Sequence, residues 1–142
     1  RGTIVTLVYL VLEPSTRALR WISAGHGPIL FFDSDTFAIE ELAVHDILLG
    51  VENEWEFHES VRHEWPSHGV VVIGTDGVWE TKAPDGHMFG RDNLVGVIRA
   101  TAHLGAAEIC RALIERLAEF RAGEPQADDV TLLVVKFLKS PS

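Results

Sequence analysis

The stretch "VVVIGTDGVWE", Val70 to Glu80, carries an apolar run straight into Thr75-Asp76-Gly77, and the bulky pair Val78-Trp79 follows at once. Four consecutive β-branched residues without polar alternation read as a strand buried on both faces. A carboxylate at the end of such a strand is costly unless it is solvated, paired or bound to a cation. Asp-Gly is also an ordinary turn dipeptide. Two readings are therefore open at Asp76: a plain turn, or one wall of a cation site.

A second place repeats the arrangement. Asp128-Asp129 precede the apolar run "VTLLVV". If the two strands are neighbours, their ends meet and the carboxylates gather around one point. Such a cluster repels itself, and a hard divalent cation such as Mg²⁺ or Mn²⁺ relieves the repulsion. Gly77 lets the backbone turn away with no side chain crowding the ion. The competing reading makes Asp129 an ordinary strand-entry residue, and neither motif is specific alone.

Outward from this stretch, the first half of the chain is strand-like and the end helical. "TIVTLVYLVLE" (Thr3 to Glu13) is rich in β-branched residues and turns at Pro14-Ser15. "RALRWISA" alternates, with Leu19 and Trp21 opposed to Arg20 and Ile22. "PILFFD" and "FAIEEL" follow, separated by Asp33-Ser34-Asp35, and Glu40-Glu41 read as a solvated turn. "WEFHESVRHEW" alternates again, placing Trp55, Phe57, Val61 and Trp65 on one face. Beyond Val70–Glu80 the period changes. Asp92 is positioned to cap a helix through Leu94, Val95, Ile98 and Ala102. A second helix, about Ala106 to Arg121, aligns Ile109, Leu113, Leu117 and Phe120 and ends at Gly123 and Pro125. "ADDVTLLVVKF" returns to strand. Strands first and helices late indicate an α+β fold with mainly antiparallel sheets.

Composition narrows the function classes. The 142 residues fit one domain, and a formal charge of −9 argues against nucleic acid or an anionic membrane as partner. The single cysteine, Cys110, forms no internal disulfide, falls in an apolar helical pattern as packing, and fits a reducing, cytoplasmic setting. No apolar run approaches the roughly 18 residues needed to span a membrane. Arg1-Gly2 leads directly into an apolar run, as expected of a piece of a longer protein. His58 and His63 lie five apart, which is not the one-face spacing of a helical zinc motif. Trp21, Trp55, Trp65 and Trp79 read as core and rim packing.

"SAGHGPILFF", "LLGV", "VVVIGTDGVWETKAPDGHMFG" and "ADDVTLLVVKF", in this order, closely resemble the second half of the SpoIIE-type phosphatase domain. That domain is a branch of the PPM family of metal-dependent serine/threonine phosphatases. The resemblance runs from Thr3 to Phe137, so 1–138 are expected to form the C-terminal portion of such a domain and 139–142 a polar tail. It implies an αββα sandwich of two mainly antiparallel sheets with helices outside, here without the N-terminal strands and helices. It also implies a binuclear centre of two divalent cations, Mn²⁺ or Mg²⁺. By position in the motifs Asp76 and Asp128 are implied as metal ligands acting through an activated water, with Asp129, ranked after Asp128, and Gly77 also assigned to the metal site. Gly25 and His26 are implied to shape the pocket.

The implied activity is dephosphorylation of phosphoserine or phosphothreonine on a protein, such as an anti-sigma-factor antagonist in a bacterial sigma-factor or stress-response switch. The family's first half supplies an early Gly-Asp ligand and two helices over one sheet, and this chain has no equivalent. An apolar face is therefore expected on strands such as "IVTLVYLVL", together with self-association. A non-catalytic regulatory or dimerisation module of the same fold is the alternative.

Overall fold

The computed structural model describes residues 3–138, so Arg1-Gly2 and the polar tail 139–142 lie outside the described residues. The chain runs β1 (Leu7–Glu13), β2 (Ala18–Ala24), β3 (Ile29–Asp33), β4 (Ile39–Leu42), β5 (Ser60–Arg62), β6 (Gly69–Gly74), α1 (Asp76–Trp79), α2 (Gly90–Thr101), α3 (Ala106–Arg121) and β7 (Leu132–Phe137). Two antiparallel sheets result, ordered β1-β2-β5 and β4-β3-β6-β7.

Side-chain alternation divides the core into two layers. Leu19 and Trp21 of β2, with Val8 and Leu10 of β1, face Ile29, Phe31, Val71, Ile73 and Phe137 of the other sheet. The opposite faces of β3 and β6, Leu30, Phe32, Val70 and Val72, lie under Leu94, Ile98, Ile109, Leu113 and Leu117 of α2 and α3. β6 is thus buried on both sides, which is why it reads as an unbroken apolar run. Each such side chain contributes about 1.5–3 kcal/mol on burial. Trp65 stacks on Phe137 with ring centroids 4.7 Å apart, joining the β5–β6 connection to the last strand.

The expected α+β sandwich is present: three strands, then four, then two helices. Both long helices pack on the four-stranded sheet. On the outer face of the three-stranded sheet Leu7 and Tyr9 remain 45% and 60% exposed, and Val61, across β2 on β5, is also exposed.

Four local expectations change. The alternating segment 55–65 is strand only at Ser60–Arg62, because Trp55 and His58 turn their donors to a buried carboxylate, Asp46, instead of a ladder. Glu40-Glu41 form no turn: both lie in β4 and pair with Arg62 and Arg91. Asp92 is not a cap: α2 begins at Gly90 and places Asp92 in its first turn, where a carboxylate favours the helix dipole. At the end of α3 Ala122, rather than Gly123, is the cap residue in the left-handed region, at φ 50°, although Gly123 follows at φ 90°. Among the described residues no helix is long and apolar enough to cross a membrane.

Candidate metal centre

β6 ends at Gly74, and the chain turns at Thr75 (φ −89°, ψ 165°) into the single helical turn of α1. Asp76-Gly77 is therefore a helix start and not a hairpin turn, with Glu80 N–H donating to the Asp76 carbonyl at 2.9 Å. Val78 is fully buried and Trp79 packs partly buried against the helical core. The apolar pair after the Asp-Gly anchors the turn and leaves the Asp76 side chain exposed.

The antiparallel register carries the second acidic segment to the same place. Gly74 pairs with Leu132, so the residues just before β7 lie alongside Thr75-Asp76. Thr75 fastens the two. Its N–H donates to the Thr131 carbonyl at 3.1 Å, its hydroxyl donates to the Asp129 carbonyl at 3.2 Å, and the Thr131 N–H donates back to that hydroxyl at 3.0 Å. Gly77 permits the approach: a Cβ there would sit 2.2 Å from the Asp129 carbonyl oxygen. Its own carbonyl accepts from the Thr81 hydroxyl at 2.6 Å.

A third wall comes from the end of β2. Gly25 adopts φ 64°, and a Cβ on it would meet Leu48 Cγ at 2.7 Å. His26 follows, held by a hydrogen bond between its Nδ1 and the Thr6 hydroxyl at 3.2 Å, and by the Ser23 hydroxyl donating to its carbonyl. Asp76, Asp128, Asp129, Gly25 and His26 line one cleft of about 280 Å³, together with Thr6, Gly27 and Thr75. Five of the six residues expected at the site are thus brought together. Gly77 lines a neighbouring cavity of about 660 Å³, which it shares with Asp128 and the 80–88 loop. That loop is closed by Ala83 N–H to the His87 carbonyl at 2.8 Å and Phe89 N–H to the Thr81 carbonyl at 2.7 Å.

Among the described residues no lysine or arginine lines the cleft, so its three carboxylates meet no lysine or arginine partner there. Oxygen donors of this kind suit hard divalent cations such as Mg²⁺ and Mn²⁺. Among the described residues, however, no group of three His, Cys, Asp or Glu side chains is close enough to hold an ion unaided. The donors fit the cation class and supply part of a coordination shell.

Sequence reasoning passed over Thr75, Thr6 and Asp46. The Asp46 side chain is 1% exposed, yet it accepts from the Trp55 indole at 3.1 Å, the His58 backbone N–H at 2.9 Å and His58 Nδ1 at 2.9 Å. Burial alone would raise its carboxyl, but the bonds from the His58 ring, the His58 backbone and Trp55 outweigh burial and hold it below the usual carboxylate value. The signal for Thr75 was its place between β6 and Asp76; Asp46 left none, since its donors lie 9 and 12 residues away.

The family model of stage II sporulation protein E (SpoIIE) matches residues 1–138. Protein IcfG of Synechocystis sp. is 28% identical over 92% of this chain and 20% of its own length. The phosphoserine phosphatase RsbU of Bacillus subtilis is 21% identical over 93% of this chain and 38% of its own. The solved SiaA-PP2C domain of Pseudomonas aeruginosa superposes with a TM-score of 0.79 at 23% identity, over 95% of this chain and 52% of that one. The chain therefore spans about half of that solved structure and less of the curated relatives. With Asp76 and Asp128-Asp129 joined at one sheet end and the family model running from the first residue to Leu138, the chain belongs to the SpoIIE family of PPM-type phosphatase domains.

Proposed function

We propose that the protein of which these residues form part removes phosphate from phosphoserine or phosphothreonine on a protein, using divalent cations held in part by Asp76 and Asp128. The observation that carries this reading is the meeting of Asp76, Asp128 and Asp129 in one cleft that no lysine or arginine among the described residues lines. Asp129 lies beside its neighbour, its N–H donating to Asp128 Oδ1 at 2.8 Å, which leaves Asp128 Oδ2 for a cation. Gly77 contributes by letting the two acidic segments touch. Two bound cations, Mn²⁺ or Mg²⁺, would offset charge on the phosphate oxygens and lower the pKa of a nucleophilic water.

The chain's own residues then have defined tasks. Asp76 and Asp128 place negative charge where the cations are needed, Thr75 keeps the two carboxylates in register, and Gly25-His26 bound the cleft opposite them. A phosphorylated regulator such as an anti-sigma-factor antagonist, met in the cytoplasm, fits a family that includes RsbU.

The test is phosphate release by the full-length protein with Mn²⁺ and a phosphoserine protein. Asp76→Asn removes one charged oxygen ligand and should lower kcat by at least about 100-fold, on the scale of lost transition-state electrostatics. No release by the wild type, or a rate that Asp76→Asn leaves unchanged, would sink the reading. The exposure of Tyr9 and Leu7 favours a second reading, a non-catalytic dimerisation module of the same fold, and that result would select it.

A further inference from the structure

Asp46 is the most buried carboxylate among the described residues, and it does not itself line the cleft. It sits in the connection between β4 and β5 at the head of a short segment, 46–49, that grips the cleft wall at three points. The Asp46 carbonyl accepts from the Gly25 N–H at 3.0 Å. Leu48 fills the space against Gly25 that a side chain there would need. Leu49 exchanges two backbone bonds with Val5, at 3.1 and 2.9 Å, fixing the strand lead-in that presents Thr6. Thr6 in turn holds His26 Nδ1. Beside the Ser23 hydroxyl, which holds the His26 carbonyl, two further supports of His26, the Gly25 backbone and the Thr6 hydroxyl, thus rest on this one segment.

The segment belongs to a long connection with little secondary structure, so something other than a sheet ladder must hold it. The Asp46 carboxylate does so, drawing in three donors from Trp55 and His58 and closing 46–58 into a loop. Hydrogen bonds to a charged acceptor are about twice as strong as neutral ones, and a buried carboxylate that lost them would be left uncompensated.

We propose that Asp46 is a positioning residue for the acidic cleft: its carboxylate, clamped by Trp55 and His58, sets the place of the Gly25-His26 wall opposite Asp76 and Asp128. The proposal rests on the cation-dependent reading of that cleft and assigns Asp46 no contact with cation or substrate. Residues that orient a metal site from behind typically cost 10–100-fold in metal affinity when changed.

The experiment has two readouts on the ¹⁵N-labelled full-length protein: the Gly25 amide and His26 imidazole signals without metal, and the affinity for Mn²⁺ by titration calorimetry. Asp46→Asn keeps the shape but turns an amide N–H₂ toward at least one donor. It should shift both signals and weaken Mn²⁺ binding about tenfold. Ile109→Val, which loosens the helical core at a residue that does not line the cleft, should leave both readouts at their wild-type values. If Asp46→Asn does not fold, Trp55→Phe and His58→Gln each remove one donor and should move the same signals with a smaller loss of affinity. Signals or affinity unchanged in the folded variants overturn the positioning role. Absence of Mn²⁺ binding by the wild type overturns the cation reading as well. Lack of phosphate release from a wild type that does bind Mn²⁺ would sink only the phosphatase reading.

Discussion

Asp46 carries its charge where water hardly reaches, and the pH dependence of stability follows from that placement. Its carboxyl is lower in the folded chain than its ordinary value of 3.8. A group lowered on folding contributes stability above its unfolded pKa, and the contribution fades as pH falls through the lowered folded value. Wild type should therefore exceed Asp46→Asn in stability at neutral pH, and the gap should narrow as the pH is taken below about 4. Urea titrations of both proteins across that range check this, and a gap that stays constant would contradict it. Asp76 and Asp128 could be singled out in the sequence because each stands where an apolar strand ends or begins. Asp46, inside "VHDILL", has no such marker. Its partners are fixed by a loop closure that no periodicity encodes.

At the level of elements, helices were more legible than the polar edge of the smaller sheet. The stripe Ile109, Leu113, Leu117 places α3 at Ala106–Arg121, as the spacing predicts. Segment 55–65 has an equally clear alternation, but Asp46 offers its donors a buried charged acceptor, and only Ser60–Arg62 joins β2. Alternation records which side chains could share a face and carries no information about competing acceptors. The end of α3 yields a direct prediction. Ala122 holds φ 50° in an exposed position, a conformation that costs a non-glycine residue about 1 kcal/mol. Ala122→Gly should therefore stabilise the chain by about 1 kcal/mol in chemical denaturation, less what glycine adds to the freedom of the unfolded chain. A destabilised variant would mean that the left-handed cap carries no strain.

For the molecule as a whole, the sandwich is asymmetric: two helices on the larger sheet, exposed Leu7, Tyr9 and Val61 on the smaller. An apolar face of this kind favours association. At high concentration the chain should sediment above its monomer mass, and Tyr9→Lys, which puts a charge on that face, should return it to the monomer. A clean wild-type monomer under the same conditions would count against the prediction. The expectation of an apolar face on the first strand came from the family resemblance, and the exposure of Tyr9 agrees with it.

A ribosome delivers the strand Gly69–Gly74 long before Leu132–Phe137, with α1, α2 and α3 emerging in between. Until the later strand docks, Asp76 stands alone and Asp128-Asp129 are still on their way to it. Contacts so distant along the chain form late, and N-terminal parts fold first during synthesis. The two acidic segments are therefore united only after Leu132–Phe137 has emerged and docked, so a nascent chain cannot assemble a cation-attracting cleft before that last strand has been made.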